Sequence, residues 1–228
     1  MTQSLVMDKE EQALYDAYLS KARNALFAKE KKGRIEVLSD LTRLRQLCVD
    51  PSTFLEYKNV SSKLEYTLSL IKEAISNGHK ILLFSSFTSV LDHLATLLTD
   101  EKITYETIQG DTSAAKRIKL AESFNTKDDI KVMLVSLKAG GTGLNLIGAD
   151  IVIHLDPWWN LAAEDQASDR AYRIGQTRKV IIYKLVMKNT IEEKVLTLQG
   201  KKKDLSDIFD NINTSAGLTD DDIKYLLD

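Results

Sequence analysis

From Ser61 onward the chain alternates short, wholly apolar runs with amphipathic segments of ten or more residues. Few folds accommodate that rhythm. The apolar runs are KILLFS (80–85), YETI (105–108), KVMLVS (131–136), IVIHL (151–155) and VIIYKLV (180–186). A run that is apolar at successive positions, not at every second one, suits a strand covered on both faces. Between the runs lie helical patterns. Leu64, Leu68, Ile71 and Ile75 form a stripe behind a capping box, Ser62-x-x-Glu65, with Gly78 as its stop. Val90, Leu91, Leu94, Leu97 and Leu98 form the next helix, and another opens at Thr112 or Ser113 and runs to about Phe124. Thr190-x-x-Glu193 is a second capping box, opening a helix that continues towards residue 200. Strands alternating with helices require right-handed crossovers and a mostly parallel sheet. The fold class is α/β.

The ends follow a different pattern. From Asp8 to about Cys48 the apolar residues recur at helical spacing. Tyr15, Leu19, Ala22 and Leu26 sit beside Leu14, Tyr18 and Ala25, and Ile35, Leu38, Leu41 and Leu44 follow the KEKKG segment. This predicts a helical hairpin over 8–49, ended by Pro51 and Ser52. Residues 201–228 are charged and weakly amphipathic. Leu205, Ile208 and Phe209 are placed to dock one helix, and Leu218 to Leu227 form another.

Composition excludes several functions. A single cysteine rules out an internal disulfide, and with only three histidines it rules out a Cys/His zinc site. No apolar run is long enough to span a bilayer, so no membrane role is expected. The opening MTQSLVMDKEEQ carries acid where a secretory signal needs an apolar core. The net charge of −2 means that any nucleic-acid surface has to be a local patch.

Ligands of wound α/β sheets bind beyond the carboxyl ends of the strands, where this sequence carries small polar residues or glycine. Ser85 and Ser86 follow the first run, Gln109 to Ser113 the second, Ser136 to Gly143 the third and Asp156 to Asn160 the fourth. Gly141-x-Gly143 is not a dinucleotide fingerprint, because Leu146 stands where a third glycine belongs. It is not a Walker A loop either, since no Gly-Lys-Ser/Thr occurs. It is either a plain turn or a loop presenting backbone N–H groups to an anion such as phosphate. Trp158 and Trp159 are adjacent, and one is expected to pack inward while the other stays available for stacking on bases. In DQASDRAYRIGQ (165–176), a helix ended by Gly175 would put Gln166, Arg170 and Arg173 on one face. That face is either solvated and paired with Asp165 and Asp169, or a cationic site.

The sequence SLKAGGTGLNLIGADIVIHLDPWWN (136–160) with DQASDRAYRIGQTRKVIIYKLV (165–186) resembles helicase motifs five and six of the Swi/Snf ATPases. These are double-stranded DNA translocases of helicase superfamily two. KILLFSSFTSVLDHL (80–94) is similar to motif four, and IQGDTSAAKRIKLAESFN (108–125) to the block after it. LTRLRQLCVDP (41–51) resembles the Leu-Arg-x-x-Cys-x-x-Pro segment before the second lobe, and TIEEKVLTLQGKKKDL (190–205) the closing brace. Two departures stand out: Asn160-Leu161 replaces the usual Asn-Pro, and Val49-Asp50 replaces the usual Asn-His.

The resemblance implies a RecA-like second lobe at 59–200, with a helical protrusion at 1–58, a C-terminal brace at 201–228, and helices on both faces of the sheet. It implies that Arg170 and Arg173 act as arginine fingers on ATP, that Gln166 orients them, and that Gly141 and Gly143 let backbone approach the nucleotide. Ser85, Thr112, Ser136 and Lys138 would contact phosphates of double-stranded DNA, and Trp159 its groove. The family's first lobe, with its Walker A lysine and Asp-Glu-x-His motif, is not in this sequence. ATP and Mg2+ would therefore be held with that lobe as partner, and the 228-residue chain alone should not hydrolyse ATP. A DNA-bound protein such as RNA polymerase is a further expected partner. The compact brace resembles bacterial members, implying a cytoplasmic, nucleoid-associated protein, or a nuclear one if eukaryotic. The competing readings are an RNA helicase lobe and a non-enzymatic α/β interaction module.

Overall fold

A computed structural model describes residues 1–27, 33–140, 143–203 and 218–228. Its centre is a six-stranded sheet in the order β1-β6-β5-β2-β4-β3. The strands are β1 (Thr2–Leu5), β2 (Ile81–Ser85), β3 (Tyr105–Ile108), β4 (Val132–Ser136), β5 (Ile151–His154) and β6 (Ile181–Met187). β2 pairs in parallel with β4 and β5, β3 with β4, and β5 with β6. Every residue of β2, β4 and β5 is buried, so both faces of the central sheet are covered. Each of those Leu, Ile and Val side chains contributes roughly 1.5–3 kcal/mol of transfer free energy. The mostly parallel α/β reading holds, with one addition. The edge strand β1 has no apolar pattern and is set by pairing, with Lys184 N donating to the Met1 carbonyl at 2.9 Å and Lys188 N to the Leu5 carbonyl at 2.8 Å.

The chain divides into two units. The first comprises 1–3, 64–156 and 162–185, and holds most of the sheet. Its helices include α3 (Ser62–Ser76), α4 (Thr88–Asp100), α5 (Ala114–Thr126), the single turn α6 (Leu137–Gly140) and α7 (Leu161–Ser168). α3 stops as expected, with Gly78 at φ +77° and His79 N closing onto the Ala74 carbonyl at 3.0 Å. α5 is capped by Ser113, not Thr112.

The second unit comprises 4–63, 157–161 and 186–228. Here α1 (Lys9–Phe27) and α2 (Arg34–Val49) make the expected hairpin, joined by α8 (Ile191–Lys203) and α9 (Asp220–Leu227). Their core contains Tyr15, Leu41, Leu44, Leu47, Ile191 and Leu226. Both anticipated capping boxes differ in detail. The Ser62 hydroxyl and amide both bond Glu11, at 2.5 and 2.8 Å. Thr190 Oγ1 accepts from Glu192 N, whereas Glu193 reaches back one residue further, to Asn189 N. Thr219 and Asp222 form a full capping box on α9. Leu205, Ile208 and Phe209 lie outside the described residues.

The second unit buries ionic groups and pairs them. Lys63 and Glu192 are both fully buried, with Nζ 2.6 and 2.7 Å from the two carboxylate oxygens. Met187 N donates to the same carboxylate at 2.8 Å. Tyr15 Oη accepts from Ile191 N at 2.7 Å. Burial pushes the Cys48 thiol and the Tyr15 phenol up, so both stay protonated.

Candidate nucleotide and nucleic-acid site

The arginine pair does not sit on a helix. α7 ends at Ser168, and the chain tightens into turns, with Arg170 N bonding the Ala167 carbonyl and Ala171 N that of Ser168. The one-face geometry expected for Gln166, Arg170 and Arg173 is therefore replaced by a turn-built one. Nothing in EDQASDRAYRI forbids a longer helix. A tertiary bond marks the stop instead: Leu146 N donates to the Arg170 carbonyl at 2.9 Å, while His154 Nε2 lies 2.8 Å from Ser168 Oγ.

The two arginines differ sharply. Arg170 is 3% exposed, and its Nε has no hydrogen-bond partner. Burial lowers its basicity, the charge of Arg173 adds to that, and Asp169 opposes it. Arg173 is exposed and reaches the Gly143 carbonyl through Nη1 at 3.3 Å. The arginine turn and the glycine loop are thus neighbours, as the anion-site reading needs. Gly143 has φ +72°, a conformation costly for any residue with a side chain. Gly141 lies outside the described residues. Gln166 is exposed on α7.

Below the arginine turn, Gln176 closes the segment. Its Nε2 donates to the carbonyls of Ile147 at 3.0 Å and Ala149 at 2.7 Å. Arg178 then bonds Asp150 at 3.0 Å and the Gly78 carbonyl at 2.9 Å. Asp150 also accepts from Lys80 N and pairs with His79 Nδ1 at 2.9 Å. Burial pulls the Asp150 pKa up, but the bonds from His79, Arg178 and the Lys80 amide together hold it below the usual carboxylate range.

The carboxyl ends of the strands carry a second group. Ser85 and Ser136 are in register on adjacent strands. Ser85 is fully buried; its hydroxyl donates to Asp156 at 2.8 Å and accepts from Phe87 N at 3.1 Å. That hydroxyl is occupied, and no face of it meets solvent. Ser136 is 3% exposed and its Oγ has no partner, so it is the serine with capacity to spare. Asp156 also takes the Ser86 amide at 3.0 Å and the Ser86 hydroxyl. Lys138 is exposed on α6. Thr112 is half-exposed and its Oγ1 accepts from Gln109 N at 3.0 Å.

Two residues given no role in the sequence hold these loops. Asp156 anchors the start of the loop after β2. Arg117 binds the loop after β3 through the carbonyls of Thr112, Gln109 and Gly110 at 2.7, 3.2 and 3.0 Å. An acidic residue closing the buried run IVIHL was the available signal for the first. His154, stacked on Phe84 at 5.4 Å, has its pKa lowered to about 4, mainly by burial. It is therefore neutral near pH 7.

Trp158 and Trp159 belong to the second unit, and both are half-buried. The rings do not divide into one wholly inward and one wholly free: each keeps part of its surface exposed. Trp159, the ring assigned to the groove, packs against the helical core.

This arrangement has close parallels. Residues 62–175 match the helicase conserved C-terminal domain, and the chain belongs to that family. It is 37% identical over 95% of its length to an "Uncharacterized ATP-dependent helicase" of Mycoplasma pneumoniae, covering 21% of that protein. It overlays the Sulfolobus solfataricus SWI2/SNF2 ATPase C-terminal domain with a TM-score of 0.77 at 26% identity, covering 99% of this chain and 96% of that one. The Sulfolobus solfataricus SWI2/SNF2 ATPase core in complex with dsDNA matches with a TM-score of 0.78 at 29% identity, over 99% of this chain and 49% of that one. The RecA-like fold and the Swi/Snf kinship are thereby established. The chain spans about a fifth of the length of the curated relatives it matches.

Proposed function

We propose that this chain is the second motor lobe of a Swi/Snf-type, DNA-dependent ATPase that translocates on double-stranded DNA and remodels protein–DNA complexes. The observation that carries the reading is the arginine turn. Arg170 keeps a guanidinium nitrogen without a partner although it is 3% exposed, and Arg173 reaches the carbonyl of Gly143 in the glycine loop. A buried cation without a full set of partners costs free energy, and a phosphate arriving from the first lobe would repay it. The donor set fits the phosphate of ATP; among the described residues no cluster of His, Cys, Asp or Glu suits a metal ion. ATP bound with Mg2+ supplies the γ-phosphoryl group and the free energy of its transfer. Arg170 and Arg173 would stabilise charge on that group, while Gly141, Gly143 and Gln166 shape the approach.

On the DNA side the reading uses phosphate contacts from Ser136, Lys138 and Thr112 and a groove contact from Trp159, with Ser85 acting through Asp156 and the loop that follows β2. Backbone contact without base readout suits a motor that must pass over any sequence. The decisive experiment is DNA-stimulated ATP hydrolysis by the full-length protein and its Arg173→Lys variant, beside the isolated 228-residue chain. The expected outcome is turnover in the first, a kcat loss of roughly a thousandfold in the second at near-unchanged ATP affinity, and none in the third. Normal turnover by Arg173→Lys, or turnover by the isolated chain, would refute the reading.

A further inference from the structure

The loop Pro157–Trp158–Trp159–Asn160 carries two large rings and no regular hydrogen-bonding of its own. Pro157 has no N–H to give, and outside helix and strand the loop's carbonyls need donors from the surrounding fold. One side chain meets part of that need. Arg45, on α2, donates from Nη2 to the Pro157 carbonyl at 2.8 Å. The same guanidinium lies over the Trp158 ring at 5.7 Å and over the Trp159 ring at 5.0 Å. Arg45 is 3% exposed, so these contacts are made away from bulk water, where attraction between a cation and a ring face is strongest. Gln199 of α8 donates to the Trp158 carbonyl. All of these residues belong to the second unit.

We propose that Arg45 is a positioning residue for the tryptophan loop: it fixes the backbone at Pro157 and both indoles at once, and so sets the orientation in which Trp159 meets DNA. A planar guanidinium can do this because its edge donates while its face covers a ring. A lysine ammonium could keep the charge and one bond to the Pro157 carbonyl, but it has no face to lay on two indoles. The arginine of the Leu44-Arg45-x-x-Cys48 segment thereby acquires a role in the loop after β5, which lies 112 residues away in sequence. The DNA half of the proposal rests on the reading of Trp159 as a groove contact; the positioning half does not.

The protein provides its own probe, because Trp158 and Trp159 are its only tryptophans. Tryptophan emission from the 228-residue chain therefore reports this loop alone, excited where tyrosine does not absorb. In the unmodified chain the emission should be blue-shifted and poorly quenched by acrylamide. Arg45→Lys should shift it red and raise quenching while far-UV circular dichroism is retained. On a short DNA duplex at low ionic strength, Arg45→Lys should lose about as much affinity as Trp159→Ala, roughly five- to a hundredfold if stacking is of ordinary strength. The double variant should lose no more than Trp159→Ala alone, because both changes remove the same contact.

Unchanged emission in folded Arg45→Lys overturns the proposal. Should Arg45→Lys not fold, free-tryptophan quenching in the unmodified chain overturns it equally well. If the emission responds but Trp159→Ala leaves DNA affinity intact, the positioning role stands and the groove reading of Trp159 falls.

Discussion

Arg170 and Arg178 lie in one turn-rich segment and reverse the usual rule for buried charge. Arg178, whose side chain is 62% exposed, is bonded twice, to Asp150 and to the Gly78 carbonyl. Arg170 is 3% exposed, yet its Nε bonds nothing. Folding alone would favour the opposite assignment, since water can satisfy an exposed guanidinium while a buried one needs partners. The lower half of the segment is a latch. Arg178, Gln176 and Asp150 fasten it to the residues that precede β2 and β5, and each of the bonds described there has an obvious structural use. The upper half, next to the glycine loop, carries an uncompensated cost. Local strain and unmet polarity held in place by well-satisfied surroundings is how a binding site differs from a scaffold.

The largest effect expected from this comparison is on rate. On the function proposed above, Arg170→Lys in the two-lobe protein should lower DNA-stimulated kcat by about a thousandfold, with the melting temperature essentially unchanged. Arg178→Lys should leave kcat within about twofold of normal, since a latch residue contributes nothing to the transition state. The stability of Arg170→Met sharpens the point: removing a buried, incompletely bonded cation should cost nothing and is expected to raise the melting temperature. Comparable kcat values for Arg170→Lys and Arg178→Lys would erase the distinction between the two halves.

A second, smaller effect separates the halves by pH. His154, beside Ser168 at the end of α7, has a folded pKa of about 4. Burial lowers it most; Glu164 and Asp156 oppose that, and Lys184 adds to it. Unfolded histidine titrates near 6.5, so below that value the unfolded state takes up a proton that the folded state refuses. Stability should fall as pH drops from about 6.5 to 4, by up to ~3 kcal/mol. His154→Gln should flatten that window. Asp150 in the latch behaves differently. Its depressed pKa gives stability that is present above the ordinary carboxylate range and lost only as pH falls below about 4. Urea titrations of the unmodified chain, His154→Gln and Asp150→Asn across pH 3–8 would resolve the two windows.

Much of this was legible in the sequence, and the gaps have physical causes. Runs such as KILLFS and KVMLVS announce buried parallel strands because they are apolar at successive positions, and β2 and β4 are buried throughout. The hairpin α1–α2 follows from helical spacing at Tyr15 and Ala22, each 3% exposed or less. The end of α7 was not legible. Every residue from Glu164 to Ile174 tolerates a helix, and what marks the stop is a bond from Leu146, distant in sequence. β1 has no pattern of its own and exists by pairing. The site residues were legible as residue types at strand ends, but not their bonding. Only the folded chain distinguishes Ser85, occupied by Asp156, from Ser136, whose hydroxyl is unmatched.

The smallest effects test whether the latch is merely a latch. Asp150 is nearly buried and accepts from His79, Arg178 and the Lys80 amide. Asp150→Asn keeps the shape but weakens bonds made to a charged acceptor, and should destabilise by roughly 1–3 kcal/mol. Arg178→Ala should cost less, at most about 1 kcal/mol, because an exposed guanidinium recovers water when its partner is lost and the pair is screened by salt. Asp150, left with His79 and the Lys80 amide, remains bonded. The order of the two losses is the informative quantity. Were Arg178→Ala to cost more than Asp150→Asn in urea titrations at neutral pH, the exposed arginine would be a main support of the segment. The unpartnered state of Arg170 would then have to be explained by strain transmitted from that support, not by reservation for a phosphate. Repeating both titrations in molar salt separates the cases: the Arg178 loss should shrink with screening, while the Asp150 loss, made of buried hydrogen bonds, should persist.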